Sequence, residues 1–308
     1  MSKVKRVRVT VQANARVQVT VSVDSQQERG PPTTPSSSKP VPLAVTLPNL
    51  ATVPKTWRGS RYVVRKLLGS GDTNPKLRKS NAAGTPFQTS GLALAPAKES
   101  GFQTCSSSTP GCRTTCLYHQ GHARIDPVIA VCRIAKTIAY KDHREWFREQ
   151  LIHELATIAR RADERGFKVA IRLNLTADIL WERELPELFE RFPEFQFYDY
   201  TKDFVRVMRF VRGELPPNYS LTFSRSEDND FQCRDVLAAG GNVAVVFRTR
   251  DFPSRYLGFP VIDGDETDLR ILDPNGVVVA LSAKGTAKAD FTGFVVDAEG
   301  GRVSLGML

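Results

Sequence analysis

Cysteine is scarce in this chain: five residues in 308, an odd number and unevenly spaced. Long apolar runs are missing as well. No stretch of about 18 consecutive apolar residues occurs, so no membrane-spanning helix is expected. The N-terminus is basic but has no apolar segment behind its charges, so it does not read as a secretory signal. These absences point to a reducing compartment, where clustered thiols serve a metal or catalysis more often than a disulfide. There is no Walker loop, no Rossmann glycine fingerprint and no HExxH pair. The phosphate cradle, the dinucleotide fold and the zinc-protease helix therefore lack their signatures.

Acidic residues are nearly absent from the front. Residues 1–80 hold 15 Lys and Arg against 3 Asp and Glu, whereas the remainder holds 28 against 30. The net charge of +10 is thus an N-terminal property. Such an arm either binds nucleic-acid phosphates without sequence preference or stays solvated. Within it, residues 7–23 (VRVTVQANARVQVTVSV) alternate Val and Ala with polar residues, the period of a strand or of a hairpin folded near Asn14. Residues 24–57 are rich in Pro, Ser, Thr and Gln and read as a linker. The expected organisation is a basic β-segment (1–23), a linker (24–57) and one domain (58–308), with the arm partly disordered. Hydrophobic residues make up 41% of the chain, enough for a substantial core.

The body reads as alternating strand and helix. SGLALAPA (90–97), KVAIRLNLT (168–176), FQFYDYTK (195–202), NYSLTFSRS (218–226), NVAVVFRTR (242–250) and VVVALSA (277–283) are strand-like. Helical spacing falls at 127–139, 143–163, 184–192, 203–213 and 230–241. Strands apolar on both faces and joined by helices imply a parallel sheet. An α/β fold follows, either a doubly wound sheet or a (β/α) barrel. The placement of polar residues favours a partial (β/α) barrel of parallel strands, because they gather at the C-terminal end of one strand after another. Asn174, Thr176, Asp178 and Glu182 follow one strand, and Asp199, Tyr200 and Lys202 end the next. Ser224, Arg225 and Glu227 end another, and Arg248 and Arg250 the one after it. In parallel folds those ends open on one face, where sites are built.

The cysteine loop TCSSSTPGCRTTCLYHQGH (104–122) follows the first of these strands and spaces its thiols as Cys105-x6-Cys112-x3-Cys116. Three thiolates in one loop suit three corners of an iron–sulfur cube with the fourth iron open. Zinc is the alternative, with His119, His122 or Cys132 as fourth ligand. Cys132 and Cys233 lie in helical patterns and otherwise read as small core residues. Asp178 and Glu182 share a face if TADILWERE turns helical, a pair that could transfer protons, bind a metal or, at Asp178 above all, cap a helix. Residues 261–285 carry Asp263, Asp265, Asp268 and Asp273 and read as a loop-and-hairpin lid turning at Asp273-Pro274-Asn275-Gly276. Lys284 is a candidate phosphate or carboxylate contact, or simply a solvated lysine.

The runs NPKLRKSN, SGLALAPAKESG, TCSSSTPGCRTTCL, RIAKT, IRLNLTADILWE, FYDYTK, LTFSRSE and NVAVVF together resemble a family of phage and plasmid proteins, gene product eighty-eight, over about residues 70–292. That resemblance implies a mobile element and the cytoplasm of a bacterial host, and supplies no activity. More distantly, a three-cysteine loop after the first strand of a partial barrel resembles radical S-adenosylmethionine enzymes. That likeness implies a [4Fe–4S] cluster on Cys105, Cys112 and Cys116. It implies S-adenosylmethionine on the open iron, with Tyr118 packed beside it. The x6 and x3 spacings depart from the usual x3 and x2, and LNLTAD stands where a glycine-rich stretch is expected. Two kinds of protein are therefore expected. The first is a metallocluster enzyme acting on a nucleotide or nucleic acid. In it, Asp178, Tyr200 and Lys202 do the catalytic work, and Asn174, Ser224 and Arg225 hold cofactor and substrate. The second is a zinc-stapled nucleic-acid-binding protein without catalysis. A phage accessory protein with a degenerate site is a third expectation.

Overall fold

The computed structural model describes residues 39–71, 77, 81, 84–120 and 125–298. The alternating segment 7–23 and the first part of the expected linker lie outside these residues. The folded unit begins at Lys39 rather than at residue 58. Strand β1 (Leu43–Thr46) pairs antiparallel with β2 (Arg61–Val64). Val45, Leu47 and Val53 are buried in the main core. The prolines around this stretch gave it the composition of a linker, while its aliphatic residues give it something to bury.

The central sheet starts with β3 (Leu68–Ser70), antiparallel to β4 (Phe87–Leu92). A short helix α1 (Pro110–Thr114) lies in the cysteine loop, and two long helices follow, α2 (Pro127–Asp142) and α3 (Arg144–Arg165). Each boundary has a cause. The Asp126 carboxylate caps α2 by accepting from the Val128 amide, with Pro127 in the first turn. Gly166 closes α3 in the left-handed region at φ 68°, its amide donating to Ala162. Strand β5 (Lys168–Arg172) leads through α4 (Trp181–Glu184) and α5 (Glu187–Arg191) to β6 (Gln196–Thr201). Helix α6 (Phe204–Val211), capped by Asp203, leads to β7 (Tyr219–Ser224), and α7 (Asp230–Ala238) to β8 (Val243–Phe247). The chain ends in β9 (Arg255–Tyr256), β10 (Phe259–Asp263), β11 (Val278–Ser282) and β12 (Val295–Val296).

From β4 to β8 the strands lie side by side in sequence order and all parallel, followed by β11 and β10; β9 closes the path antiparallel. Among the described residues no ladder joins β3 to β9, so the hydrogen bonding gives a mixed α/β fold with a mostly parallel sheet and does not close a barrel. Alternation along each strand sorts the faces. Val169, Ile171, Phe197, Leu221, Phe223, Val243 and Val245 share one core with Ile134 of α2, Leu151 of α3, Val207 of α6 and Val236 of α7. On the opposite face Ala170 and Tyr198 pack against Leu269, and Ala244 against Val279. The helices thus cover one face, and the β10–β11 connection covers part of the other.

Two further expectations are corrected here. Strands β10 and β11 are parallel, so residues 261–285 are not a hairpin; the antiparallel pair is β9–β10, turning through Leu257 and Gly258. Asp178 is not helical: its backbone bridges to Cys105, and the helix starts at Trp181. One more feature shapes the site. β11 occupies one edge of β8 along its whole length, so β12, paired with Val246 and Phe247, must take the other. β7 reaches only Val243 and Ala244 there. The sheet therefore splays between β7 and β8 at their C-terminal ends, and β12 fills the gap. No helix among the described residues is long and apolar enough to cross a membrane.

Candidate active site

A cavity of about 290 Å³ opens at the C-terminal ends of the parallel strands. The cysteine loop forms one wall: Cys105, Cys112 and Cys116 all line it. This loop is fastened from several sides. Glu227, beyond β7, accepts from the Gly111 amide and the Thr109 hydroxyl, both at 2.7 Å. Gly111 has to be glycine-sized, because a Cβ there would meet the Glu227 carboxylate and the Thr292 hydroxyl. Gln120 ties the far end of the loop to Thr286, accepting from its amide at 2.9 Å and donating to its hydroxyl at 2.6 Å. Cys105 accepts at sulfur from the Ala97 amide at 3.3 Å. Burial nevertheless pushes the Cys105 thiol up, and that of Cys116 up to about 11, so both are neutral near pH 7.

The loop after β5 brings Asp178 to the cavity. Its carboxylate accepts from the Lys202 amide at 2.9 Å, the Thr201 hydroxyl at 3.2 Å and Arg206 at 3.1 Å. Burial raises its pKa despite those donors. Arg206 is 1% exposed and is the centre of a buried network. It also binds Glu182 and the hydroxyl of Tyr219, which in turn donates to Asp199 at 2.8 Å. Asp178 and Glu182 therefore do converge, on a guanidinium instead of along a helix.

Asn174 lines the cavity, but its side chain is fully occupied. Its oxygen accepts from the Ile179 amide and the Trp181 indole, and its nitrogen donates to Ile179 and Asp199. It shapes the loop that carries Asp178. Tyr200, Lys202, Ser224 and Arg225 all line the cavity. Arg225 is held by Asp230 at 2.7 Å and by the carbonyls of Gly293 and Phe294, which anchors the segment leading into β12. The Lys202 ammonium sits 5.3 Å from the Phe294 ring centre. Lys284 is paired with Asp265 at 2.9 Å.

Some expected residues are elsewhere. Tyr118 does not line the cavity; the turn Leu117–His119 points its ring into the core, 5.3 Å from the Arg133 guanidinium. Arg248 and Arg250 pair with Asp297 and Asp263 away from the cavity. Cys132 sits on α2 and Cys233 is buried under α7, neither at the cavity. His122 lies outside the described residues. Arg172 and Arg206 are the residues sequence reasoning passed over. Arg172 carried a signal, being an arginine inside an otherwise apolar strand. Its guanidinium stacks 4.5 Å from the Tyr200 ring centre and bonds Asp268 at 2.7 Å, lining the cavity floor. Arg206 had no distinguishing signal beside Arg209 and Arg212 on the same helix.

The donor set can be tested against the expected metals. Among the described residues, no three His, Cys, Asp or Glu side chains are placed to hold a metal ion. A single zinc draws its ligands to about 2.0–2.3 Å from one point, which this arrangement does not offer. An iron–sulfur cluster takes each thiolate on a separate iron atom, and all three thiols line the one cavity.

The fold and site define a mostly parallel α/β protein with a thiol-lined cavity at its C-terminal strand ends. The chain belongs to the Gene product 88 family, whose pattern it matches over residues 65–298. That span holds β3 through β12, the cysteine loop and every described residue that lines the cavity. No curated protein and no solved structure matches the chain.

Proposed function

We propose that the cavity is the active site of a metallocluster enzyme, with the cluster on Cys105, Cys112 and Cys116 and the sheet set around it as a partial (β/α) barrel. One observation carries the reading: three thiols of a single, well-fastened loop share a cavity with the polar ends of successive parallel strands. A [4Fe–4S] cluster so bound would supply one-electron chemistry and an open iron for a cofactor such as S-adenosylmethionine. The chain's own groups have separable tasks. Asp178, raised by burial and oriented by Arg206, is the carboxyl placed to exchange a proton with a group in the cavity. Leu175, Ala177, Val246, Leu281 and Phe294 give the cavity a largely apolar lining that limits water. Arg172 and Lys202 place positive charge beside the space left for a substrate. A nucleotide or nucleic-acid substrate accords with the basic residues at the front of the sequence.

Anaerobic purification of the full-length chain tests this reading. Iron and acid-labile sulfide in near-equal amounts are expected, with broad visible absorbance that disappears in the Cys105→Ala/Cys112→Ala/Cys116→Ala variant. A chain that takes up one zinc and no iron would instead support the zinc-stapled binding protein. A chain that takes up neither would leave an accessory protein with a degenerate site.

A further inference from the structure

The cations that line the cavity are unequally employed. Arg172 is paired with Asp268, Arg225 with Asp230 and Lys284 with Asp265. Asp178 is taken by Arg206. Lys202 is different. It is partly buried and lines the cavity, yet among the described residues no carboxylate lies within ion-pair distance of its ammonium. Its ammonium lies over the face of Phe294 and is near enough to Asp178 and Cys116 to act on them electrostatically without pairing. Arg113 also lacks an acidic partner, but it is exposed and bonds the Ser108 carbonyl.

Two lining residues also carry a buried polar atom without a hydrogen-bond partner among the described residues. Arg172 is 5% exposed, and its Nε has no partner among the described residues; the same holds for the buried Tyr200 hydroxyl. Both residues line the cavity. Lysine and the arginine Nε can only donate, and a tyrosine hydroxyl can donate. A buried donor left unpaired is costly, and such groups are normally satisfied in proteins by water, an ion or a ligand. Lys202 is thus a partly buried cation of this cavity with no carboxylate partner among the described residues, set against an aromatic ring and aliphatic walls.

We infer that the cavity binds a small organic oxyanion, a carboxylate or a phosphate monoester, whose charged group pairs with Lys202 and whose body lies against Phe294. This inference rests on reading the cavity as a binding site, and it names the substrate class for that reading. The volume of about 290 Å³ is at the low end for small-molecule pockets, which favours a compact ligand over a polymer segment. Lys284, which the sequence offers as the oxyanion contact, is already engaged by Asp265 and does not serve.

Calorimetric titration of the metal-free, full-length chain tests the inference, with glutarate, inorganic phosphate and adenosine monophosphate as probes and adenosine as the uncharged control. At least one anion is expected to bind and adenosine to bind weakly or not at all. Glutarate and the phosphates separate the two sources of the oxyanion. Lys202→Met should weaken binding about tenfold or more, the scale of a charge-assisted contact. Lys202→Arg should keep most of it, and Lys284→Met should change it little. Every variant retains the basic N-terminal residues, so binding there cannot mimic a dependence on Lys202. The inference is overturned if no anion binds, or if Lys202→Met matches the parent within twofold. Iron uptake by the same preparation separates the two proposals. A chain that takes up iron on anaerobic reconstitution and binds no anion overturns the substrate class alone, and one that binds anions but takes up no iron on reconstitution overturns the cluster alone.

Discussion

Cys105 and Asp178 are joined by a parallel backbone bridge, and the Asp178 amide donates to the Thr104 carbonyl at 2.9 Å. The first thiol of the cysteine loop and the buried carboxyl of the next strand end are therefore parts of one hydrogen-bonded edge. Glu227 and Gln120 hold the remainder of the loop. Loops held by other strand ends lose less freedom when they bind a ligand, which is how a site gains affinity from its scaffold.

Gly111→Ala tests how much that fastening matters. Alanine is favoured over glycine inside a helix by about 1 kcal/mol, so propensity alone predicts stabilisation. The added Cβ would lie 2.7 Å from a Glu227 carboxylate oxygen and closer still to the Thr292 hydroxyl. Overpacking of that kind costs about 1–3 kcal/mol, so the steric effect wins. The expected result is a lower urea midpoint, together with reduced iron uptake, because the displaced groups are the ones that position Cys112.

Arg206→Met removes the cation that, among the described residues, pairs with both Asp178 and Glu182. Breaking one side of a buried ion pair costs about 3–5 kcal/mol, since the remaining charges stay desolvated. Urea unfolding should show a loss of that size, and Glu182→Gln a smaller one because a neutral partner is left behind. Equal losses from the two substitutions would mean that the guanidinium is not the centre of the network.

The central strands and α7 were legible because alternation and helical spacing survive in them: β5, β6, β7, β8 and α7 start within a residue or two of where the pattern places them, whereas β4 spans Phe87–Leu92 against an expected 90–97 and the short strands β2, β3, β9, β10 and β12 show no readable period. The start of the fold was not. Pro-rich composition hid β1, whose four residues are too few to show a period. Sequence also put the three cysteines and the strand ends on one list without showing which cations were already spent. Lys284 and Lys202 look alike as letters; only the tertiary position of Asp265 distinguishes them. The place of Tyr118 was hidden for a similar reason, since the direction of a side chain two residues past Cys116 depends on a single tight turn.

Asp199 gives the fold a pH dependence of known sign. Burial pushes its carboxyl up to about 7, although Arg206 and the Asn174 amide oppose the shift. An unfolded aspartate titrates near about 3.9. Between those two values the native state binds the extra proton, so the contribution of Asp199 to stability falls as pH rises from about 4 to about 7 and then levels off. Denaturation midpoints of the parent and of Asp199→Asn, measured across that window, should differ in slope. The parent should lose stability with rising pH relative to the variant.

The partly buried thiols of Cys105 and Cys116 should be slow at neutral pH and fast in alkali. With Cys116 pushed up to about 11 by burial, its thiolate fraction at pH 7 is very small and grows about tenfold per pH unit. Iodoacetamide labelling of the metal-free chain, followed residue by residue by mass spectrometry, should show that gradient at Cys116 between pH 7 and 9. Iron uptake should fall as pH is lowered, because each thiol must give up its proton to bind. A pH-independent labelling rate would contradict the burial of this sulfur.

The boundary at Lys39 separates two truncations that composition alone would treat alike. Val45, Leu47 and Val53 are each no more than 1% exposed, and the Trp146 indole donates to the Val41 carbonyl at 2.7 Å. Burying an aliphatic side chain of this kind stabilises by about 1.5–3 kcal/mol, so removing residues 1–57 takes away several such contributions along with the partner of β2. Removing residues 1–38 takes away none of them. Thermal melts should therefore leave the shorter truncation near the full-length chain and lower the longer one sharply. Salt-sensitive affinity for DNA, if it resides in the basic front, should vanish already with residues 1–38. A truncation that melts with the full-length chain and no longer binds would place the loss of binding in residues 1–38 and not in unfolding.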